Sequence, residues 1–201
     1  SLDPAFRHMV WLGAFSPEEQ RELFAVDPPD GVFEDASRHY SCASGAEAGN
    51  RLLYLYKKLY LAEDILTKVD RASMGVSLES RAPFLDHELV EFVASLPYRM
   101  KLCGLRMKSL LKDAVEPLLP KGIAGRPKKG FGIPVAKWVK GPIRDLVGDM
   151  LGVDRIKREG YFRAGTVSRI LKDHMAGRAD NSKKIWTLLM FEAWLDRWGR
   201  G

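Results

Sequence analysis

Two charged clusters in this 201-residue chain are of types and spacings that could do chemistry. The first runs from Asp64 to Phe92, DILTKVDRASMGVSLESRAPFLDHELVEF. Asp64, Lys68 and Arg71 recur at helical spacing, which ion pairing along a solvated helix face explains. Glu79 and Arg81 need another account. They sit beside Leu78, Pro83, Phe84 and Leu85, and alternate residues of an extended stretch point the same way. They are therefore expected side by side as a partly buried pair. That pair reads either as a structural ion pair or as a phosphate site with Arg81 as the bidentate donor. The second cluster is Arg126-Pro127-Lys128-Lys129-Gly130-Phe131-Gly132-Ile133-Pro134. Three cations in four residues, followed by glycines, describe a basic loop whose backbone amides can approach an anion closely. A plain surface loop is the alternative.

Other chemistries have less behind them. Ser44-Gly45-Ala46-Glu47-Ala48-Gly49 superficially resembles a phosphate loop, but it lacks the preceding strand and the following lysine, and it reads as incidental. Cys42 and Cys103 fit no CxxC spacing; two isolated thiols suit a reducing compartment, and a cytoplasmic location is expected. His8, His39, His87 and His174 fall in no HxxxH or HExxH pattern, so no metal site is expected. No apolar run reaches the ~18 residues of a membrane span, and SLDPAFRHMVW has neither the basic head nor the apolar core of a secretory signal. No membrane partner is expected.

The charge is unevenly placed. The net value is +6, yet residues 99–140 hold eleven cations against Asp113 and Glu116, which makes that segment +9 and the remainder −3. An anionic partner follows: a nucleotide triphosphate, a nucleic acid, or only solvent around a charged face. The absence of interleaved aromatics or a nucleic-acid motif disfavours the second. With 46% hydrophobic and 29% charged residues, the composition argues against disorder.

Helices must position these clusters. Ser16-Pro17-Glu18-Glu19 carries an N-cap, a proline at the first helical position and a capping-box glutamate, and the helix ends before Asp27-Pro28-Pro29-Asp30-Gly31. Residues 32–45 read as a helix-loop stretch. Leu52, Leu55, Tyr56 and Leu59 predict a helix over 46–60, and Ile65, Val69, Ala72 and Val76 predict another over 62–74. Asp86 caps a helix through Leu89, Phe92, Val93 and Leu96, which Pro97 stops. A basic amphipathic helix is predicted over 105–116 with Leu110, Leu111, Ala114 and Val115 inward. Residues 121–135 form a loop. Short helices follow near 135–140, 142–151 and 166–176. A final helix over 182–198 is apolar on most sides and should be central and buried. The whole, 1–201, reads as one all-helical unit.

Three ordered blocks carry a family resemblance. YLAEDILTKVDRASMGVSLESRAPFLDHELVEFVASLP, LRMKSLLKDAVEPLLPKGIAGRPKKGFGIPVAKW and KKIWTLLMFEAWLDRW resemble the glutamine-dependent asparagine synthetases, over about Tyr60 to Trp198. The resemblance implies the all-α, C-terminal segment of an adenine-nucleotide α-hydrolase-like (PP-loop ATP pyrophosphatase) synthetase domain, with the parallel sheet upstream. The family activates the β-carboxylate of aspartate with ATP and Mg²⁺, giving β-aspartyl-AMP and pyrophosphate. Ammonia, released from glutamine by a separate glutaminase, then attacks the adenylate. The chain has no glutaminase cysteine and no Ser-Gly-Gly-x-Asp-Ser loop, so the Mg²⁺ ligands and the ATP loop are expected upstream and the fragment alone is expected to be inactive. The family's Arg-x-Lys-x-x-Phe pattern falls on Arg126, Lys128 and Phe131, which implies Lys128 as the catalytic contact to the α-phosphate. Arg81 matches the arginine expected near the nucleotide, with Asp70, Glu79 and Arg126 as supporting charges. A surface left bare by the missing sheet should make the fragment dimerise or aggregate. Related enzymes of the β-lactam synthetase and macrocycle-forming types also adenylate a carboxylate but use another acceptor, and they remain the alternative, with a basic nucleic-acid module behind them.

Overall fold

A computed structural model describes residues 4–26, 33–127, 130 and 132–199. The fold is all-α. Helices α1 (Pro4–Leu12), α2 (Pro17–Leu23) and α3 (Glu34–Cys42) come first. A continuous helical run follows: α4 (Ala48–Leu55), a π-wound stretch (Tyr56–Leu66) and α5 (Thr67–Met74). Next are α6 (His87–Ser95), α7 (Tyr98–Lys101) and α8 (Ser109–Val115). The chain closes with α9 (Val135–Lys140), α10 (Arg144–Met150), α11 (Val153–Glu159), α12 (Ala164–Met175) and α13 (Ser182–Trp198). Among the described residues the β-structure is one minimal hairpin, β1 (Leu102–Cys103) with β2 (Arg106–Met107), and a bridge between Phe24 and Phe162. Gly104 turns the hairpin at φ +58°, a conformation that suits a residue without Cβ.

Contacts sort the chain into two compact units. The second, Met9–Val32 with Gly130–Gly201, holds the buried apolar core. Helix α13 supplies Ile185, Leu188 and Leu189. Val139 of α9, Val147 of α10, Ile156 of α11, and Val167 and Ile170 of α12 join them, with Phe15, Leu23, Leu151 and Phe162. The entry to α2 is fixed by a reciprocal capping box. Glu19 N–H donates to Ser16 Oγ at 3.3 Å, and Ser16 N–H donates to Glu19 Oε2 at 2.9 Å. The end of α2 is pinned to the start of α12: Arg163 N–H donates to Leu23 O at 2.7 Å, and Arg169 pairs with Glu22 at 2.6 Å. Lys183 Nζ donates to the carbonyls of Leu12 and Gly13, and Lys184 pairs with Glu19.

The first unit, Ser1–His8 with Phe33–Lys129, has a thin interior: Ala36, Tyr40, Leu55 and Ser109 are its fully buried described residues. Polar ties do much of the joining. Arg51 stacks 3.7 Å over the Tyr40 ring and donates through Nε and Nη2 to Tyr40 O. Glu47 Oε2 accepts from Tyr98 N–H at 2.8 Å, and Lys101 Nζ donates to Asn50 Oδ1 at 2.8 Å. Gly49 lies under the Tyr98 ring, where a Cβ would come within 2.5 Å of ring carbons. Gly49 thus makes room for packing.

Several predicted elements shift. No break separates 46–60 from 62–74, because no glycine or proline stands between them; a π-wound stretch carries the helix across. Helix α8 starts at Ser109 rather than Leu105, since the hairpin at Gly104 takes the preceding residues. Leu111 and Ala114 of α8 face solvent, and so do Leu89, Phe92 and Val93 of α6. Helix α13 matches 182–198 but buries one face only, leaving Trp194 and Trp198 exposed.

The unequal interiors give a direct prediction. Leu188→Ala, at a site 2% exposed, should cost about 2–5 kcal/mol of stability, whereas Phe92→Ala, at a site 60% exposed, should change it by less than about 0.5 kcal/mol. Denaturant unfolding of the two variants measures both.

Candidate functional site

Glu79 and Arg81 owe their placement to the way α5 ends. Ser77 adopts a left-handed conformation, φ 57°, and Leu78 N–H reaches back to Ser73 O at 2.9 Å. The chain then runs without regular structure through 78–82, extended at Ala82, into a single 3₁₀ turn at Pro83–Leu85. Asp86 Oδ1 accepts from Glu88 N–H at 3.1 Å and from Leu89 N–H at 3.3 Å, which starts α6 as the sequence predicts.

In that segment Arg81 Nη2 meets Glu79 Oε1 at 2.6 Å. The side-by-side arrangement holds; the expected burial does not. The two side chains are 83% and 69% exposed, because Leu78 and Phe84 on either side are themselves exposed and provide no cover. An ion pair so open to water contributes little to folding. It leaves further guanidinium N–H groups open to an anion.

The other predicted residues are not gathered around this pair. Asp70 is an exposed carboxylate in α5, and Lys68 pairs with Asp64 at 3.5 Å in the same helical run. Arg126 is exposed, its backbone N–H bonded to Ile123 O in the turn-rich loop. Lys128, Lys129 and Phe131 lie outside the described residues. The +9 segment is also less free than its sequence suggests. Lys101 is tied to Asn50 and to Ala94 O; burial, then Lys57, lowers its pKa despite the opposing carboxylate of Glu47. Arg106 pairs with Asp113 at 2.6 Å, and that hydrogen bond raises its pKa.

Just before Arg126, residues Glu116, Leu119, Pro120, Lys121, Gly122 and Ala124 line a concavity of about 140 Å³. Pockets that enclose small ligands run to ~300–1,000 Å³, so this one is too small to surround a nucleotide. No group of three or more His, Cys, Asp or Glu among the described residues is placed to hold a metal ion. No helix among the described residues is long and apolar enough to cross a membrane. Among the described residues, Arg81 thus stands open to solvent, and the concavity just before Arg126 does not enclose it.

Comparison with known proteins decides the family. The asparagine synthase family profile matches residues 8–196. The chain belongs to the asparagine synthase family. Its relatives include glutamine-hydrolysing asparagine synthetase 1 of Bacillus subtilis, 30% identical over 181 residues, which are 90% of this chain and 28% of that protein. A putative glutamine-hydrolysing asparagine synthetase of Mycobacterium tuberculosis is 31% identical over 183 residues, again 90% of this chain and 28% of that protein. The glutamine-hydrolysing asparagine synthetase of Mus musculus is 35% identical over 185 residues, 82% of this chain and 32% of that protein. The chain thus spans under a third of the length of these asparagine synthase relatives. No solved structure matches.

The exposed pair yields a prediction that separates binding from folding. Arg81→Ala and Glu79→Ala should each leave the unfolding free energy of the chain within about 0.5 kcal/mol of wild type. A loss above about 2 kcal/mol in denaturant unfolding would show a structural pair instead.

Proposed function

We propose that this chain is one side of a carboxylate-adenylating site in a glutamine-dependent asparagine synthetase. The observation that carries the reading is the likeness, over 90% of the chain, to proteins named as glutamine-hydrolysing asparagine synthetases. In the full-length protein the chain is the C-terminal helical segment of the synthetase domain. The β-carboxylate of aspartate attacks the α-phosphorus of ATP and pyrophosphate leaves. Ammonia from glutamine then attacks the acyl carbon, and AMP departs to give asparagine.

The chain's own residues act on phosphate. Lys128 places an ammonium against the α-phosphate, where negative charge builds as the carboxylate attacks. Arg81, held by Glu79, meets the nucleotide with its remaining N–H groups. Asp70 and Arg126 orient the surrounding charge. The described residues offer no cluster suited to Mg²⁺, and no step is assigned to the ion. The exposed apolar side chains of the first unit, among them Val76, Leu78, Phe84 and Phe92, support a partner surface from the rest of the enzyme.

In the full-length enzyme, Lys128→Ala should lower aspartate-dependent pyrophosphate release on the order of a hundred- to a thousand-fold, equivalent to about 3–4 kcal/mol, with glutamine hydrolysis nearly intact. Near-wild-type release would contradict the role of Lys128. The chain alone, with its bare apolar surface, should self-associate; a sedimentation profile of a lone 201-residue monomer at micromolar concentration would contradict the bare surface.

A further inference from the structure

One buried charge cluster in the second unit has no part in the chemistry above. Glu192 sits in the middle of α13 within the apolar run TLLMFEAWL and is 1% exposed. Its Oε2 accepts from Arg155 Nε at 3.0 Å. The same Nε lies 3.2 Å from Glu159 Oε1, one turn along α11, and Arg155 Nη2 lies 2.9 Å from Asp196 Oδ2, one turn along α13. One guanidinium is therefore shared by three carboxylates. Glu192 and Glu159 are the buried members; Asp196 is half-exposed.

We propose that Glu192 and Glu159 hold one proton between them across Arg155 at neutral pH, making the α11–α13 contact a proton-dependent latch that loosens as the medium turns alkaline.

Geometry argues for a proton between the two glutamates. Fully ionised, Glu192 and Glu159 would put two carboxylates out of water on the same nitrogen. Like charges that close and that poorly solvated do not both stay ionised. Glu192 Oε1 is buried and receives no hydrogen bond. Protonated, it becomes a donor toward the neighbouring Glu159 carboxylate, while Oε2 keeps its bond from Arg155. The Glu192 carboxyl is accordingly pushed up from 4.5 to about 7, by burial first and then by Glu159, with Arg155 opposing.

The helices packed against α13 contribute Val139, Val147, Val167 and Ile170 to the shared core. The buried titratable group on α12 is His174, which is engaged with Asn181 N–H at 3.2 Å and Asp180 at 3.7 Å. At the other end of α13, Lys184 is engaged by Glu19.

The sign follows from linkage. The folded state binds this proton more tightly than the unfolded state does. Its contribution to stability is complete below about pH 4.5 and is lost as pH rises through about 7. Because two sites share it, the transition belongs to the pair and not to either residue.

The chain reports on this unit selectively, since all five tryptophans (11, 138, 186, 194 and 198) lie within it. The test is denaturant unfolding of the 201-residue chain, followed by tryptophan emission from pH 4.5 to 8.5, for wild type and Glu192→Gln. Glutamine keeps the shape, donates to Glu159 and accepts from Arg155, but cannot ionise. The unfolding midpoint of the variant should lie close to wild type at pH 4.5, exceed it increasingly up to about pH 7, and keep that difference above. Groups common to both chains cancel in this difference. A difference independent of pH would overturn the proposal. Should Glu192→Gln fail to fold, carboxyl-carbon NMR of wild type gives the answer. A glutamate titrating near pH 7 that moves to the ordinary range in Glu159→Gln supports the shared proton. A spectrum in which every glutamate titrates below about pH 5.5 overturns it.

Discussion

The burial of one face of α13 is the constraint on which the second unit depends. Ile185, Leu188 and Leu189 take contacts from α9, α10, α11 and α12, none of which is long enough to be stable alone in water. These helices are six to twelve residues long and mostly start without a side-chain cap. They hold their shape because each lays its apolar residues on the same central helix. Placing Glu192 on that buried face makes a charged partner on α11 obligatory, and Arg155 supplies it at 3.0 Å. The polar cluster and the apolar core are two consequences of one packing decision.

The first unit follows a different logic. Its helices meet through hydrogen bonds and close ring packing, as where Tyr98 N–H donates to Glu47 and the Tyr98 ring covers Gly49. The apolar stripes of α5 and α6 stay in contact with water. The segment that joins them carries Glu79 and Arg81 outward. A surface rich in uncovered apolar side chains beside an exposed guanidinium has the character of half an interface. That is the arrangement expected of a segment spanning under a third of its relatives.

Much of this was legible from the residues. Ser16-Pro17-Glu18-Glu19 specified its capping box, Asp86 its cap, and the apolar run 182–198 its helix, because each signal is local and complete in a few side chains. Helix α11 was missed, although Gly152 at its start and Gly160 in the left-handed conformation at its end frame it. Burial was the weaker inference. Periodicity tells which side chains share a face, but Phe92 and Leu111 show that it does not tell whether anything covers that face. The Glu79–Arg81 pairing was readable from two-residue alternation, its exposure was not. A lone acid inside an apolar run was the available signal for the Glu192 cluster, and its partner, 37 residues away, had none.

The account rests on the chain being one side of an adenylation site. Calorimetric titration of the isolated chain with ATP and Mg²⁺, at low and at physiological salt, tests this most directly. Exposed cations facing a polyanion without enclosure should give weak binding that salt removes and that scarcely distinguishes ATP from pyrophosphate. Low-micromolar binding that survives physiological salt and requires adenine would contradict it, since it would mean that these residues alone enclose a nucleotide.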